Sequence, residues 1–305
     1  MTRVAIARIS RFDASEIDDR LTERLGKNPG SMHSYLSHLE CTYTGAIVDA
    51  EHPHTVSPAA QKVLYARYDL TAAKRFLDPS VFESRRGGMW KFHELMPVRD
   101  PGNIVTLGEG STPMLRASRL ENQLGVKVIY IKDEGVNPTG SFKARGMSAA
   151  VSRAKELGLT KLTAPSAGNA AGALASYAAK GGIEAHVFMP KDAPEANKRE
   201  ADLAGSYLTL VDGLISDAGV QSRKQAAELG LFDVSTLREP YRVEGKKTMG
   251  YEIAMDLKWK LPDVIVYPTG GGTGLVGMWK AFSEMEELGW IGSDRPKMVM
   301  VQSEG

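Results

Sequence analysis

The run Asn137-Pro138-Thr139-Gly140-Ser141-Phe142-Lys143-Ala144-Arg145-Gly146 decides how the rest of this chain is read. Asn-Pro-Thr-Gly forms a turn signal, Ser141 is placed as an N-cap, and the alanines and alternating charges that follow predict a helix from about Lys143 to Leu157. Lys143 then stands in the first turn of a helix. Solvated lysines are better placed at the other end, where the macrodipole attracts a cation. Near the N-terminus the dipole disfavours the ammonium and lowers its pKa, which suits an amine that must be neutral to form an imine with a carbonyl compound. Since most helical lysines are solvated surface charges, the weight of this reading comes from the motifs around it.

Two more loops each follow a predicted strand and open a predicted helix. Ser166-Ala167-Gly168-Asn169 lies between the apolar run Lys161 to Ala164 and a small-residue helix, Ala170 to Lys180, which Gly181-Gly182 ends. Adjacent backbone N–H groups at a helix start make an anion site, and a substrate carboxylate is its natural guest. Gly270-Gly271-Gly272-Thr273-Gly274 follows the buried-strand pattern Val264 to Tyr267 and precedes a helix around Met278 to Leu288. Four glycines let backbone amides approach a phosphate without side-chain obstruction. One such loop alone is equally a tight turn of an α/β protein. The order of lysine, asparagine loop and glycine loop points to a shared ligand.

These three motifs, in this order and at these separations, resemble the fold-type II pyridoxal-phosphate enzymes, which include threonine synthase, the serine and threonine dehydratases and the tryptophan synthase β chain. Within that group Leu107-Gly108-Glu109-Gly110-Ser111-Thr112-Pro113-Met114 is similar to a threonine synthase signature, as are Trp90 to Pro97 and the long extension before them. The resemblance runs from about Tyr65 to the last residue. It implies an α/β fold of the tryptophan synthase β-like kind, with two doubly wound αβα domains behind an N-terminal extension. It further implies pyridoxal 5′-phosphate held on Lys143, which would also move protons on the substrate. Asn169 would bond the cofactor's ring oxygen, and Ser166, Ala167, Gly168 and Asn169 would clasp the substrate carboxylate. The backbone of Gly270, Gly271, Gly272 and Gly274, with the Thr273 hydroxyl, would hold the cofactor phosphate.

By the same resemblance, threonine synthase releases phosphate from O-phosphohomoserine and adds water. Two departures leave the substrate open: Ala144 stands where many threonine synthases have aspartate, and Ala167 and Ala170 stand where they have hydroxyl residues. A dehydratase of hydroxy amino acids, a β-replacement enzyme of the cysteate synthase kind and a non-catalytic cofactor-binding relative are the alternatives. Lys198, with Arg199, is the candidate for the substrate's phosphate, although both also fit a solvated helix face. Gly272 to Gly277 matches G-x-G-x-x-G, with Glu304 ending the next strand, so a dinucleotide module is a reading from another class.

The chain has 305 residues, 42% hydrophobic and 25% charged, enough for one large or two moderate cores. A net charge of +1 offers no field for nucleic acid or an anionic membrane. The single cysteine, Cys41, excludes an internal disulfide. With no basic-then-apolar leader and no long apolar span, a cytoplasmic protein acting on a small amino acid is expected, and a homodimer is one possible assembly. Cys41 with His52 and His54 fits no common zinc spacing, and no metal is expected.

The organisation expected is an irregular extension over 1–95 with helical patches at Asp13 to Leu25 and Thr71 to Leu77. A large cofactor domain follows from 96–145 and 236–305, with a small mobile domain from 146–235 between its parts. Strands are predicted at Val128 to Ile131, Leu162 to Ala164, Ala185 to Met189 and Tyr207 to Val211. Helices are predicted at Ala193 to Ala204 and Ser216 to Leu229, giving a parallel sheet covered on both faces. Lys297 to Gln302 reads as a further strand. Related enzymes continue beyond such a strand, so more of the large domain is expected to lie outside this sequence.

Overall fold

The computed structural model describes residues 33–302; the helix expected at Asp13 to Leu25 and the acidic Glu304 lie outside the described residues. The segment before Leu95, expected to be irregular, contains an antiparallel sheet of β1 (Leu36–Cys41), β2 (Ile47–Val48) and β3 (Leu64–Tyr68), in the order β2-β1-β3. Leu64, Ala66 and Tyr68 alternate onto its buried face, opposite Leu39 and Cys41. A register shift between Leu36 and His38 lets Leu36 join them despite its odd spacing. Helix α1 (Leu70–Phe76) matches the patch expected there, capped by Asp69, which accepts from the Ala72 amide at 2.8 Å; the short α2 (Ser80–Ser84) follows.

Strand β4 (Met114–Arg116), helix α3 (Ser118–Leu124) and strand β5 (Tyr130–Lys132) come next. The strand expected from Val128 thus begins two residues later and pairs antiparallel with β4, outside the parallel sheet it was expected to open. Helix α4 (Lys143–Glu156) starts at the residue expected.

The middle of the chain alternates strand and helix as its apolar runs predict: β6 (Lys161–Pro165), α5 (Asn169–Gly181), β7 (Glu184–Pro190), α6 (Glu195–Leu203), β8 (Tyr207–Val211), α7 (Ile215–Leu229) and β9 (Phe232–Asp233). The sheet is parallel in the order β8-β7-β6-β9. Along β7, Ala185, Val187 and Met189 pack with α4 and α5, while Phe188 turns the other way onto Val211 and Ala218 of α7. Both faces are therefore covered, which is why this strand reads as a continuous apolar run.

Helix α8 (Tyr241–Asp256) carries no helical signal in the sequence, yet every residue from Tyr241 to Ala254 is buried. Strand β10 (Val264–Pro268), helix α9 (Thr273–Leu288) and strand β11 (Lys297–Val301) complete the chain, with β10 and β11 parallel. α8 is the central rod, packed by α4 on one side and α9 on another. A Cβ at Gly245 would lie 1.9 Å from the carbonyl oxygen of Arg145, and one at Gly277 would lie 2.9 Å from the Lys247 nitrogen and the Val243 oxygen. Only glycine permits these two approaches. Among the described residues no helix is long and apolar enough to cross a membrane, and no cluster of three His, Cys, Asp or Glu could hold a metal ion.

Candidate active site

Lys143 is presented by a turn whose geometry follows from its sequence. The Gly140 amide donates to the Asn137 carbonyl at 2.8 Å, with Pro138 in the second position and Gly140 at φ +65°, where a side chain would be strained. Phe142, not Ser141, occupies the cap of α4; the Ser141 hydroxyl instead accepts from the Lys143 amide at 3.3 Å. Two residues on, the fully buried guanidinium of Arg145 is held between Glu134 (2.7 Å to each oxygen) and Glu252 (2.8 Å to each oxygen), with Thr112 and Thr248 at 3.2 and 3.0 Å. Burial alone would lower the Arg145 pKa, but the two carboxylates outweigh it and raise it. This bidentate clamp locks the first turn of α4 onto α8.

The Leu107 to Met114 signature serves the same scaffold. Glu109 is buried and accepts from Trp90 Nε1 (3.1 Å), the Tyr177 hydroxyl (2.5 Å) and the Leu107 amide (3.0 Å). The Ser111 amide donates to Glu252 at 2.7 Å, and the Gly110 amide to Asn137 at 3.0 Å. The signature thus ties the loop before β4 to the lysine turn.

Lys143 opens onto a pocket lined by Phe142, Pro268, Thr269, Gly270, Val301 and Gln302. Its ammonium lies 3.8 Å from the centroid of the Phe142 ring. Burial, with the Arg242 charge nearby, lowers its pKa to about 8. Gln302 Nε2 donates to the Gly270 carbonyl at 3.2 Å, and the Thr269 amide to the Val301 carbonyl at 2.8 Å, so β11 fixes the glycine loop across from the lysine. Two of the three sequence motifs meet in this pocket.

The glycines of the second loop have separate tasks. A Cβ at Gly270 would meet nothing within 4 Å, and Gly272 stands at φ +79°. Gly271 closes against the Thr236 methyl group, at 2.3 Å from a Cβ, and Gly274 against the Tyr267 hydroxyl, at 1.9 Å. Thr273, first residue of α9, is buried, and its hydroxyl accepts from Lys246 Nζ. Gly274 and Gly277 are both taken up by close packing, against Tyr267 and against α8.

Ser166, Ala167, Gly168 and Asn169 form the β6–α5 turn. The Ser166 amide donates to the Phe188 carbonyl at 2.9 Å, and Asn197 Nδ2 to the Ala167 carbonyl at 3.2 Å. Asn169 is the exposed first residue of α5. None of the four lines the Lys143 pocket. Lys198 donates to the Lys191 carbonyl at 2.6 Å and lies 3.8 Å from Glu195, which also receives exposed Arg199 at 3.4 Å.

Sequence reasoning missed Arg242, Lys246 and Glu239. All three are buried at the start of α8. Glu239 accepts from the Tyr241 and Arg242 amides at 2.8 and 2.6 Å, capping the helix, and burial pushes its pKa up to about 7. Arg242 Nη1 donates to the Val234 carbonyl at 2.8 Å, while its Nε has no partner among the described residues.

Residues 105–305 match the profile of the family described as "Pyridoxal-phosphate dependent enzyme". The chain belongs to this family. Its cofactor is pyridoxal 5′-phosphate. Among relatives, the threonine synthase of Methanocaldococcus jannaschii is 38% identical over 239 residues, covering 78% of this chain and 58% of that protein. The threonine synthase of Methanosarcina acetivorans is 36% identical over 270 residues, covering 88% and 65%. The chain therefore spans less than two thirds of the length of either. Among solved structures, an L-serine ammonia-lyase from Rhizomucor miehei is similar with a TM-score of 0.54 and 26% identity, covering 64% of this chain and 60% of that one. Threonine deaminase isoform 2 from Solanum lycopersicum gives 0.54 and 25%, covering 63% and 50%.

The residues of the pocket fit the family's cofactor. An aldehyde suits a half-buried amine of lowered pKa, and a phosphate suits the open backbone at Gly270. Among the described residues, neither Arg242 nor Lys246 has a carboxylate within 4.0 Å, so two buried cations lack a direct ion-pair partner, with Glu239 acting on both and Asp233 on Arg242 from further away. The hydroxyls of Tyr267 and Thr139 are also buried without partners. Bound there, the cofactor supplies an electron sink for negative charge at a substrate's α carbon. Lys143 would be the amine to hold it, and its lowered pKa would suit a base that moves protons.

Proposed function

We propose that the protein is a carbon–oxygen lyase of the threonine synthase kind, converting O-phosphohomoserine and water to threonine and phosphate. The observation that carries this reading is the surplus of buried positive charge around Lys143. Arg242 stands close enough to depress the lysine and keeps Nε without a partner, while Lys246 lies a turn further along the same helix. One phosphate accounts for one of these cations; a substrate that brings a second phosphate accounts for the other. The relatives named threonine synthase and the Leu107 to Met114 signature support the same substrate. Arg242 is a better-placed partner for the substrate phosphate than Lys198, whose ammonium already serves the Lys191 carbonyl.

In this reading Lys143 holds the cofactor and moves protons on the substrate. Asn169 bonds the cofactor ring, Ser166 to Asn169 take the substrate carboxylate, and the Gly270 to Gly274 backbone with Thr273 takes the cofactor phosphate. Residues 146–235 would then move as a small domain, bringing the asparagine loop to the pocket held by 96–145 and 236–305. Ala167 and Ala170 favour a second reading, a serine or threonine dehydratase, since they remove hydroxyls that could hold a leaving phosphate. Paired assays separate the two. Phosphate release from O-phosphohomoserine without 2-oxobutanoate from threonine supports the synthase; the reverse result supports the dehydratase.

A further inference from the structure

Lys246 is 1% exposed, and among the described residues its ammonium meets no carboxylate within 4.0 Å. From α8 it reaches under the lysine turn, where a Cβ on Gly146 would come within 3.0 Å of its Cε. Its Nζ lies 5.6 Å from the centroid of the same Phe142 ring that Lys143 covers at 3.8 Å. Its hydrogen-bond partner is the Thr273 hydroxyl, immediately after Gly272. When protonated, Lys246 can only donate, so Thr273 Oγ1 then accepts from it and keeps its own proton free to donate toward the loop.

The charged groups facing Lys246 are Arg242 and Glu239 from the start of its own helix and Lys143 from α4; α9 offers only the Thr273 hydroxyl. Three cations thus face Glu239, which is already engaged by two backbone amides, and the further carboxylate, Asp233, acts on Arg242. A buried cation without a counter-ion is strongly disfavoured.

We propose that Lys246, acting through Thr273, is the counter-charge of the phosphate held on the Gly270–Gly274 loop. It is a positioning residue: it orients the Thr273 hydroxyl and sets the potential of the loop. The inference rests on the assignment of that loop to the cofactor phosphate. Burial, reinforced by Arg242 and Lys143, lowers the Lys246 pKa well below that of an ordinary lysine. A dianion arriving at the loop reverses this, so phosphate binding and protonation of Lys246 are linked.

The test compares pyridoxal 5′-phosphate with pyridoxal, which lacks the phosphate. Dissociation constants for both are measured by absorbance in the unaltered protein and in Lys246→Gln, Lys246→Met and Lys246→Arg. In Lys246→Gln and Lys246→Met the preference for the phosphorylated form should fall by roughly tenfold or more, the scale of a charge-assisted hydrogen bond, with pyridoxal affinity unchanged. Lys246→Arg should retain most of the preference. An unchanged preference in the two neutral variants overturns the proposal. Should these variants not fold, calorimetry of the unaltered protein at pH 8 in buffers of different ionisation enthalpy decides. The phosphorylated ligand should take up more protons than pyridoxal, and equal proton counts overturn the proposal. If the unaltered protein shows no preference at all, the phosphate loop itself is misassigned, a failure distinct from that of Lys246.

Discussion

Replacing Arg242 by glutamine should move the pH dependence of Lys143 upward. Only the neutral amine attacks an aldehyde, so the capture rate follows the neutral fraction. With its pKa lowered to about 8, Lys143 is roughly one-tenth neutral at pH 7 and nine-tenths neutral at pH 9, whereas a solvated lysine is below about one part in a thousand neutral at pH 7. Burial is the larger cause of the shift and remains in the variant; the Arg242 charge is the second and is removed. The midpoint should therefore rise by about half a unit to one unit, which slows capture at pH 7 by roughly three- to tenfold and leaves it unchanged well above the midpoint. Pyridoxal is the proper probe, because without a phosphate its binding does not report a direct loss of anion contacts. The assay is the rate of appearance of the visible absorbance band across pH 6 to 10.5 in both proteins. A midpoint near the ordinary lysine value in the unaltered protein, or the same midpoint in both, refutes the reasoning.

Gly270→Val should weaken pyridoxal 5′-phosphate binding by roughly tenfold or more with little change in thermal stability, because a Cβ there would meet no protein atom within 4 Å. Gly272→Val should lower stability as well, since φ +79° strains any side chain; melting temperatures beside dissociation constants show whether the two separate. Arg145→Met should destabilise the fold by about 3 kcal/mol or more in urea titration, leaving Glu134 without its cation and Glu252 with Lys132 alone, and adding Glu252→Gln should recover part of that loss. Burial alone would raise the Glu252 pKa, but Arg145 and Lys132 outweigh it and hold it well below the usual value of 4.5. Its contribution to stability is therefore complete above pH 4.5 and lost as pH falls toward the depressed value, which acid unfolding of the unaltered and Glu252→Gln proteins compares.

The candidate motifs and the parallel sheet were legible because their signals are local. A lysine at a helix start, glycines after a strand and apolar runs bounded by turns need no knowledge of what packs around them. Helix α8 was hidden for the opposite reason. Arg242, Glu244, Lys246, Lys247 and Glu252 lie along it, and periodicity assigns charged residues to a solvated face, yet here each is buried. Lys247, for instance, pairs with Glu244 one turn back at 2.7 Å and with Glu284 of α9 at 3.0 Å, and no pattern within α8 reveals the second partner. The missing helix carried the missing site residues, Arg242 and Lys246, with it. The sheet of β1 to β3 escaped because β2 has two residues and the register shift in β1 breaks the alternation. At the glycine loop, composition suggested one uniform cradle. Close contacts to Thr236 and Tyr267 leave Gly270 as the open position and assign Gly271 and Gly274 to packing.

The central claim is that Lys143 is the amine that holds the cofactor, and borohydride reduction followed by peptide mapping tests it most directly. Pyridoxal 5′-phosphate bound to the protein and reduced should be fixed to a single peptide, at Lys143, and the reducible band should be absent from Lys143→Ala. Fixation at Lys246 or at a surface lysine, or a reducible band that survives in Lys143→Ala, contradicts it.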